Sequence, residues 1–178
     1  TGRHSANEVF VGPGRALDPQ RYFIVIPDMF TNGLSTSPST CDPPYDGPRF
    51  PLVTAYDNVR AQHQLLVEHL GVTRIQLAIG FSMSGQQAFH WGAHYPDLVE
   101  RICSICGSAR TATHNWVYLS ALQAVMESAD GWKEGECRTW PPSLLRALMR
   151  VGMTMLLSQD WYRAAGFKLA GASTAEEF

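Results

Sequence analysis

Six residues, Gly80-Phe81-Ser82-Met83-Ser84-Gly85, carry the chemistry most directly. The apolar run Arg74-Ile75-Gln76-Leu77-Ala78-Ile79 leads into them, and Gln86-Gln87-Ala88-Phe89-His90-Trp91 leads out. A serine on a sharp turn between a strand and a helix is held in a strained backbone conformation that lifts its hydroxyl toward a substrate. The residues two before and two after it must then be small. Gly80 and Ser84 meet that demand around Ser82, whereas Gln86 fails it for Ser84. Ser82 is therefore the candidate nucleophile. The start of the following helix offers backbone amides, Met83 first, that can stabilise an oxyanion. A hydroxyl and an oxyanion donor at one turn point to nucleophilic catalysis by the serine. A small-residue turn that merely packs a helix onto a sheet is the bland alternative, and the flanking strand and helix argue against it.

The elements needed to hold such a turn are legible. Tyr22 to Ile26 is a continuous β-rich run, ended by Pro27-Asp28. Residues 28–52 form a long connection rich in Ser, Thr, Pro, Gly and Asn. Thr54 to Leu70 predicts a helix: Thr54 and Asp57 form a capping pair, Val59, Leu66 and Leu70 share a face, and Gly71 is the stop. Arg74 to Ile79 predicts a second strand, Ser84 to His94 a helix and Val99 to Ile105 a third strand. Strands alternating with helices argue for a parallel sheet with crossover helices. After Gly107, Asn115 to Ser128 and Pro142 to Leu157 read as amphipathic helices, with a short helix over Asp160 to Gly166. The last third contains no strand candidate, so a helical cap over the sheet is expected. Residues 1–110 are assigned to the core and 111–178 to an incomplete cap.

Composition bounds the function. At 178 residues with 45% hydrophobic content the chain suits a globular core. Lys and Arg are scattered and the net charge is −2, so no nucleic-acid footprint exists. No apolar run reaches the roughly eighteen residues of a membrane span. Without an initiating methionine or a signal peptide, the start at Thr1-Gly2 reads as a cut inside a longer, cytoplasmic protein. Cys41, Cys103, Cys106 and Cys137 make no disulfide framework. Cys103 and Cys106, three apart in a strand, point to opposite faces and read as buried core thiols of a reducing compartment.

Other candidates weigh less. His90 and His94 share a helix face, but no glutamate follows the first as in the zinc motif, and no metal site is assigned. His63 and His69 read as solvated or capping side chains. His114 begins a cap helix and is not assigned to catalysis. Asp28 precedes Ser82 and reads as a strand-end hydrogen-bonding group. Arg110, beyond the third strand, either faces the pocket or anchors the cap. Trp116, Tyr118, Trp132 and Trp140 read as cap core.

From Gly12 to Arg110 the chain resembles the homoserine O-acetyltransferase branch of the α/β-hydrolase superfamily. The resemblance is carried by Gly12-Pro13-Gly14-Arg15-Ala16-Leu17-Asp18 and Arg21-Tyr22-Phe23. Phe50-Pro51 and Asp57-Asn58-Val59-Arg60-Ala61-Gln62 continue it. Gly80-x-Ser82-Met83-x-Gly85-x-Gln87-Ala88-x-x-Trp91 and Tyr95-Pro96 complete it. It implies a partial α/β-hydrolase fold in which Ser82 is acylated, by acetyl-CoA in the transferases, with no bound cofactor. The acyl group then passes to an alcohol, or to water in an esterase. The Met83 amide would supply one oxyanion donor and the Thr1-Gly2 end the other. The triad acid and histidine follow the serine in this fold, near its C-terminus. No histidine follows His114, so the chain reads as an internal piece, inactive alone. Arg150 matches a cap arginine near the acceptor carboxylate in the acetyltransferases, but Leu157 stands where they carry a tyrosine. Phe81 and Ser84 replace glycines of their elbow, which weakens homoserine as acceptor more than acyl chemistry. The expected partners are thus a small-molecule acyl donor and an alcohol or water, with a homodimer through the cap left open. A non-catalytic binding module that keeps the elbow as a folding device is the alternative from another class.

Overall fold

The structure, a computed structural model, describes residues 9–133, 135–137 and 140–178. It divides into two compact units, Thr1–Arg110 and Thr111–Phe178, each taken by itself below.

The first unit is organised around a strand, a helix and a parallel strand. Strand β1 (Ala78–Phe81) pairs in parallel with β2 (Ile102–Ile105), with Ala78 opposite Ile102 and Phe81 opposite Ile105. A lone bridge between Ile75 and Val99 starts the same pairing earlier. Both strands are shorter than their apolar runs predict. Helix α2 (Met83–His94) makes the crossover. Helix α1 (Ala55–Gln64) runs directly into a π-helical turn, Leu65–His69, so the expected helix continues to His69 with its last turn widened. Val59, Leu66, Trp91 and Val99 form the buried core, with Val25, Val72, Ile75, Ala78, Tyr95 and Leu98 packed against it. Alternation along β1 puts Ala78 and Gly80 on the α2 side, while Ile79 and Phe81 are solvent-exposed on the other face.

The capping pair forms as the sequence predicts. The Thr54 hydroxyl accepts the Asp57 N–H at 3.2 Å, and the Asp57 carboxylate accepts the Thr54 N–H at 2.8 Å. The Thr54 side-chain hydrogen bond first, then the Thr54 backbone, hold the Asp57 carboxyl below its ordinary 3.8. A depressed folded pKa means that this stabilisation is complete above the ordinary value and is lost as pH falls through the folded one. Thr54→Ala should therefore lower the thermal midpoint by a few degrees at neutral pH. In melts repeated from pH 7 down to pH 3, the gap between variant and parent should narrow, leaving the part due to the Asp57 N–H bond to the Thr54 hydroxyl.

Three expectations for this unit are corrected. Tyr22–Ile26 is extended but belongs to no ladder among the described residues. Its β-rich composition supplies the conformation, yet a ladder also needs a neighbouring strand in register. Cys106 is exposed rather than a core thiol, because it lies past the end of β2 with φ 52°, and Cys103 is only half-buried. His63 is neither a free surface group nor a cap: its ring stacks on Tyr95 with centroids 4.0 Å apart.

The second unit packs α3 (Thr113–Glu127) against α4 (Pro142–Leu156), followed by α5 (Gln159–Arg163) and a 3-10 turn, Gly166–Ala170. Contrary to expectation it also contains strands: β3 (Trp132–Lys133) and β4 (Glu136–Cys137) form a minimal antiparallel hairpin. Two-residue strands have no alternation to read, so nothing in the sequence announces them. Trp116 and Trp140 are exposed, at 64% and 47%, so they are not core in this unit. Tyr118 and Trp132 are half-buried. Among the described residues no helix is long and apolar enough to cross a membrane.

Candidate active site

Ser82 sits between β1 and α2 with φ 56° and ψ −119°, a conformation that a non-glycine residue adopts only under constraint. The constraints are specific. The Ser82 N–H donates to the Ile105 carbonyl at 2.8 Å, which ties the turn to the end of β2. The Ser82 carbonyl accepts the Gln86 N–H at 3.1 Å, which starts α2 immediately. A Cβ on Gly80 would fall inside the Ser84 carbonyl, so the chain can fold back this tightly only with glycine there. A Cβ on Gly85 would lie 2.7 Å from the Ser104 hydroxyl and 3.2 Å from Gly107. The elbow is thus clamped from below by Gly80 and from the side by β2 and the residues just after it.

The result is an exposed serine at a helix N-terminus, flanked by Phe81 and Met83, themselves 54% and 46% exposed. The first amides of α2 have no acceptor within the helix, and the dipole adds partial positive charge there. No acidic side chain occupies the first turn to cancel it. Such a site can accept a nucleophilic attack by Ser82 and bind the oxyanion that forms, Met83 being the first amide in line.

The other sequence candidates fall as follows. The Thr1-Gly2 end, expected to supply a second oxyanion donor, lies outside the described residues. Arg110 is exposed at the end of the first unit, after β2. Arg150 is exposed on α4 in the second unit, where its Nη2 donates to the Glu176 carbonyl at 3.4 Å. Leu157 caps the C-terminus of that helix. His114 is exposed in the first turn of α3. Asp28 accepts a hydrogen bond from the Asn32 amide at 2.8 Å. His90 and His94 stack with ring centroids 5.6 Å apart, and no cluster of three or more potential metal ligands occurs among the described residues. An open depression of about 430 Å³ lined by Phe89, Gly92, Ala93, Val99 and Ile102 flanks α2 without including Ser82.

Residues 5–165 match the family described as the alpha/beta hydrolase fold. The chain belongs to that family. Within it, the chain is 36% identical over 174 residues to the ethyl acetate hydrolase of Pseudomonas veronii, covering 96% of this chain and 50% of that protein. It is 38% identical over 141 residues to the homoserine O-acetyltransferase of Rhodospirillum rubrum, covering 76% of this chain and 36% of that one. The crystal structure of an acetylester hydrolase from Corynebacterium glutamicum superposes with a TM-score of 0.91 at 30% identity, over 98% of this chain and 51% of that structure. The chain therefore spans about half the length of the first of these relatives. These α/β-hydrolase relatives are enzymes of two kinds, esterases and acyltransferases.

Sequence reading missed the residues around the elbow rather than the elbow itself. Ser104 and Gly107 form its second wall, and the Ser104 hydroxyl is buried there with no hydrogen-bond partner among the described residues. Buried Gln62 and Gln87 lie on the inner faces of α1 and α2. A signal existed for these two: each glutamine recurs at helical spacing with apolar core residues, Gln62 with Val59 and Leu66, Gln87 with Trp91.

Proposed function

We propose that Ser82 is the nucleophile of a serine acyl enzyme that acts on a small acyl ester. The observation that carries this reading is the Ser82 backbone, at φ 56° on the turn between β1 and α2, with its hydroxyl at the helix N-terminus. Ser82 Oγ attacks the acyl carbonyl and forms the Ser82 acyl ester. The alcohol or thiol leaves with the proton taken from the serine. Water or a second alcohol then attacks the ester, the acyl group leaves as an acid or a new ester, and the serine recovers its proton. Met83 N–H binds the carbonyl oxygen in both steps.

Water as acceptor is the favoured form. Esterases are matched over nearly the whole chain, with a TM-score of 0.91. Transfer to an alcohol is the second reading, supported by 38% identity over 93% of this chain to the serine O-succinyltransferase of Emericella nidulans.

The test is turnover by the full-length protein. Release of alcohol from p-nitrophenyl or ethyl acetate without an added acceptor is expected. Release of CoA from acetyl-CoA only in the presence of serine or homoserine would move the assignment to transfer. A folded protein that does neither, and resists a fluorophosphonate probe, would be a binding module and would end the acyl-enzyme reading.

A further inference from the structure

Behind the elbow runs a directional chain of buried side-chain hydrogen bonds. Trp91 Nε1 donates to Gln62 Oε1 at 3.1 Å, Gln62 Nε2 donates to Gln87 Oε1 at 3.0 Å, and Gln87 Nε2 donates to Met29 Sδ. All four residues are buried, the most exposed of them at 9%. An indole nitrogen can only donate and a thioether can only accept, so the two amides between them have one satisfied orientation each. The chain begins on α2, crosses to α1, returns to α2 and ends on the segment just after Tyr22–Ile26. A second buried amide on α1 secures that same segment: Asn58 Oδ1 accepts the Phe30 N–H at 2.8 Å, while Asn58 Nδ2 donates to the Thr54 carbonyl at 3.1 Å.

Apolar side chains of equal volume could fill this space, but they would not fix an angle. Packing contacts change little when a helix rotates by a few degrees, whereas linked hydrogen bonds have directional requirements. Gln87 and Trp91, one turn apart on α2, are both held by the single Gln62 amide. The rotation of α2 about its axis decides where its first amides point, and Met83 N–H is the first of them.

We propose that Gln87, through Gln62 and Met29, is a positioning residue that sets the rotation of α2 and so aims the Met83 amide at the acyl oxyanion. The role rests on the acyl-enzyme reading of Ser82. It touches neither substrate nor reacting atoms. It acts on the transition state, because the oxyanion donor must meet an oxygen that moves as the tetrahedral centre forms.

The experiment uses the full-length protein with p-nitrophenyl acetate and compares the parent with Gln87→Leu, Gln62→Met/Gln87→Leu and Met29→Leu. Gln87→Leu is expected to lower kcat by roughly ten- to a hundredfold with KM within about twofold, the signature of a misaimed transition-state contact. The thermal midpoint should also fall, because Gln62 Nε2 is left buried without an acceptor. In the double variant that amide is gone while the thioether of the new side chain can still accept the Trp91 Nε1–H, so the midpoint should recover toward the parent while kcat stays low. A kcat that recovers together with the midpoint would reduce the chain to packing and overturn the proposal, as would a kcat in Gln87→Leu within twofold of the parent. If Gln87→Leu does not fold, Met29→Leu decides, since it keeps the volume and removes only the sulfur acceptor: kcat should fall at least about threefold at constant KM, and an unchanged kcat overturns the role. A parent protein without turnover or fluorophosphonate labelling would fail the acyl-enzyme reading first and this role with it.

Discussion

Ser82→Ala in the full-length protein is expected to lower ester turnover by at least about 10³-fold and to abolish labelling by a fluorophosphonate. The loss should appear in kcat, with substrate still bound, because the walls formed by Phe81 and Met83 and the α2 amides remain. Ser82→Gly adds a second measurement that a surface serine would not give. At φ 56° a side chain costs about 1–3 kcal/mol that glycine does not incur. Ser82→Gly should therefore be as inactive as Ser82→Ala yet unfold at higher denaturant concentration. Equal midpoints for the two variants would mean that the turn is not strained, and retained labelling in Ser82→Ala would move the nucleophile elsewhere.

Gly80→Ala is expected to be the most destabilising single-methyl change in the first unit, at about 3 kcal/mol or more. The added carbon would occupy the position of the Ser84 carbonyl, and backbone at the start of a helix cannot swing aside as a side chain can. Relief requires α2 to move off β1, which dismantles the elbow. Gly33→Ala separates this steric cost from a purely conformational one. Gly33 has positive φ, at 83°, and an added carbon there meets nothing within 4 Å, so about 1 kcal/mol is expected. Urea denaturation of both variants, followed by circular dichroism, makes the comparison. A Gly80→Ala variant no less stable than Gly33→Ala would contradict the packing described for the turn.

The elbow was legible because its requirements are local. A strand, two small residues and a helix start lie within a dozen positions, and each follows from residue type. The α1 cap was legible for the same reason, since Thr54 and Asp57 are three apart and satisfy one another. Pairing was not local. Tyr22–Ile26 has the composition of a strand, but composition cannot say which backbone will lie beside it. The β3–β4 hairpin was too short to have a period, and its turn residues resembled a loop. Cys106 was misplaced because β2 ends at Ile105, and strand ends are set by hydrogen bonding rather than hydrophobicity. The Gln62–Gln87 link was hidden differently: both residues were visible as polar interruptions of apolar faces, but only the fold reveals that they interrupt the same interface.

The brevity of the β1–β2 pair has a practical side. Among the described residues the sheet is two strands wide, so each strand offers one row of backbone donors and acceptors without a ladder partner. Ile79 and Phe81 stand exposed beside one of these rows. Open, apolar edges of this kind template strand addition from a second molecule. Residues 1–178 handled as an isolated polypeptide therefore carry an aggregation hazard at the very strand that presents the serine. Charged substitutions at Ile79, on the face away from α2, are the natural gatekeepers for preparing it.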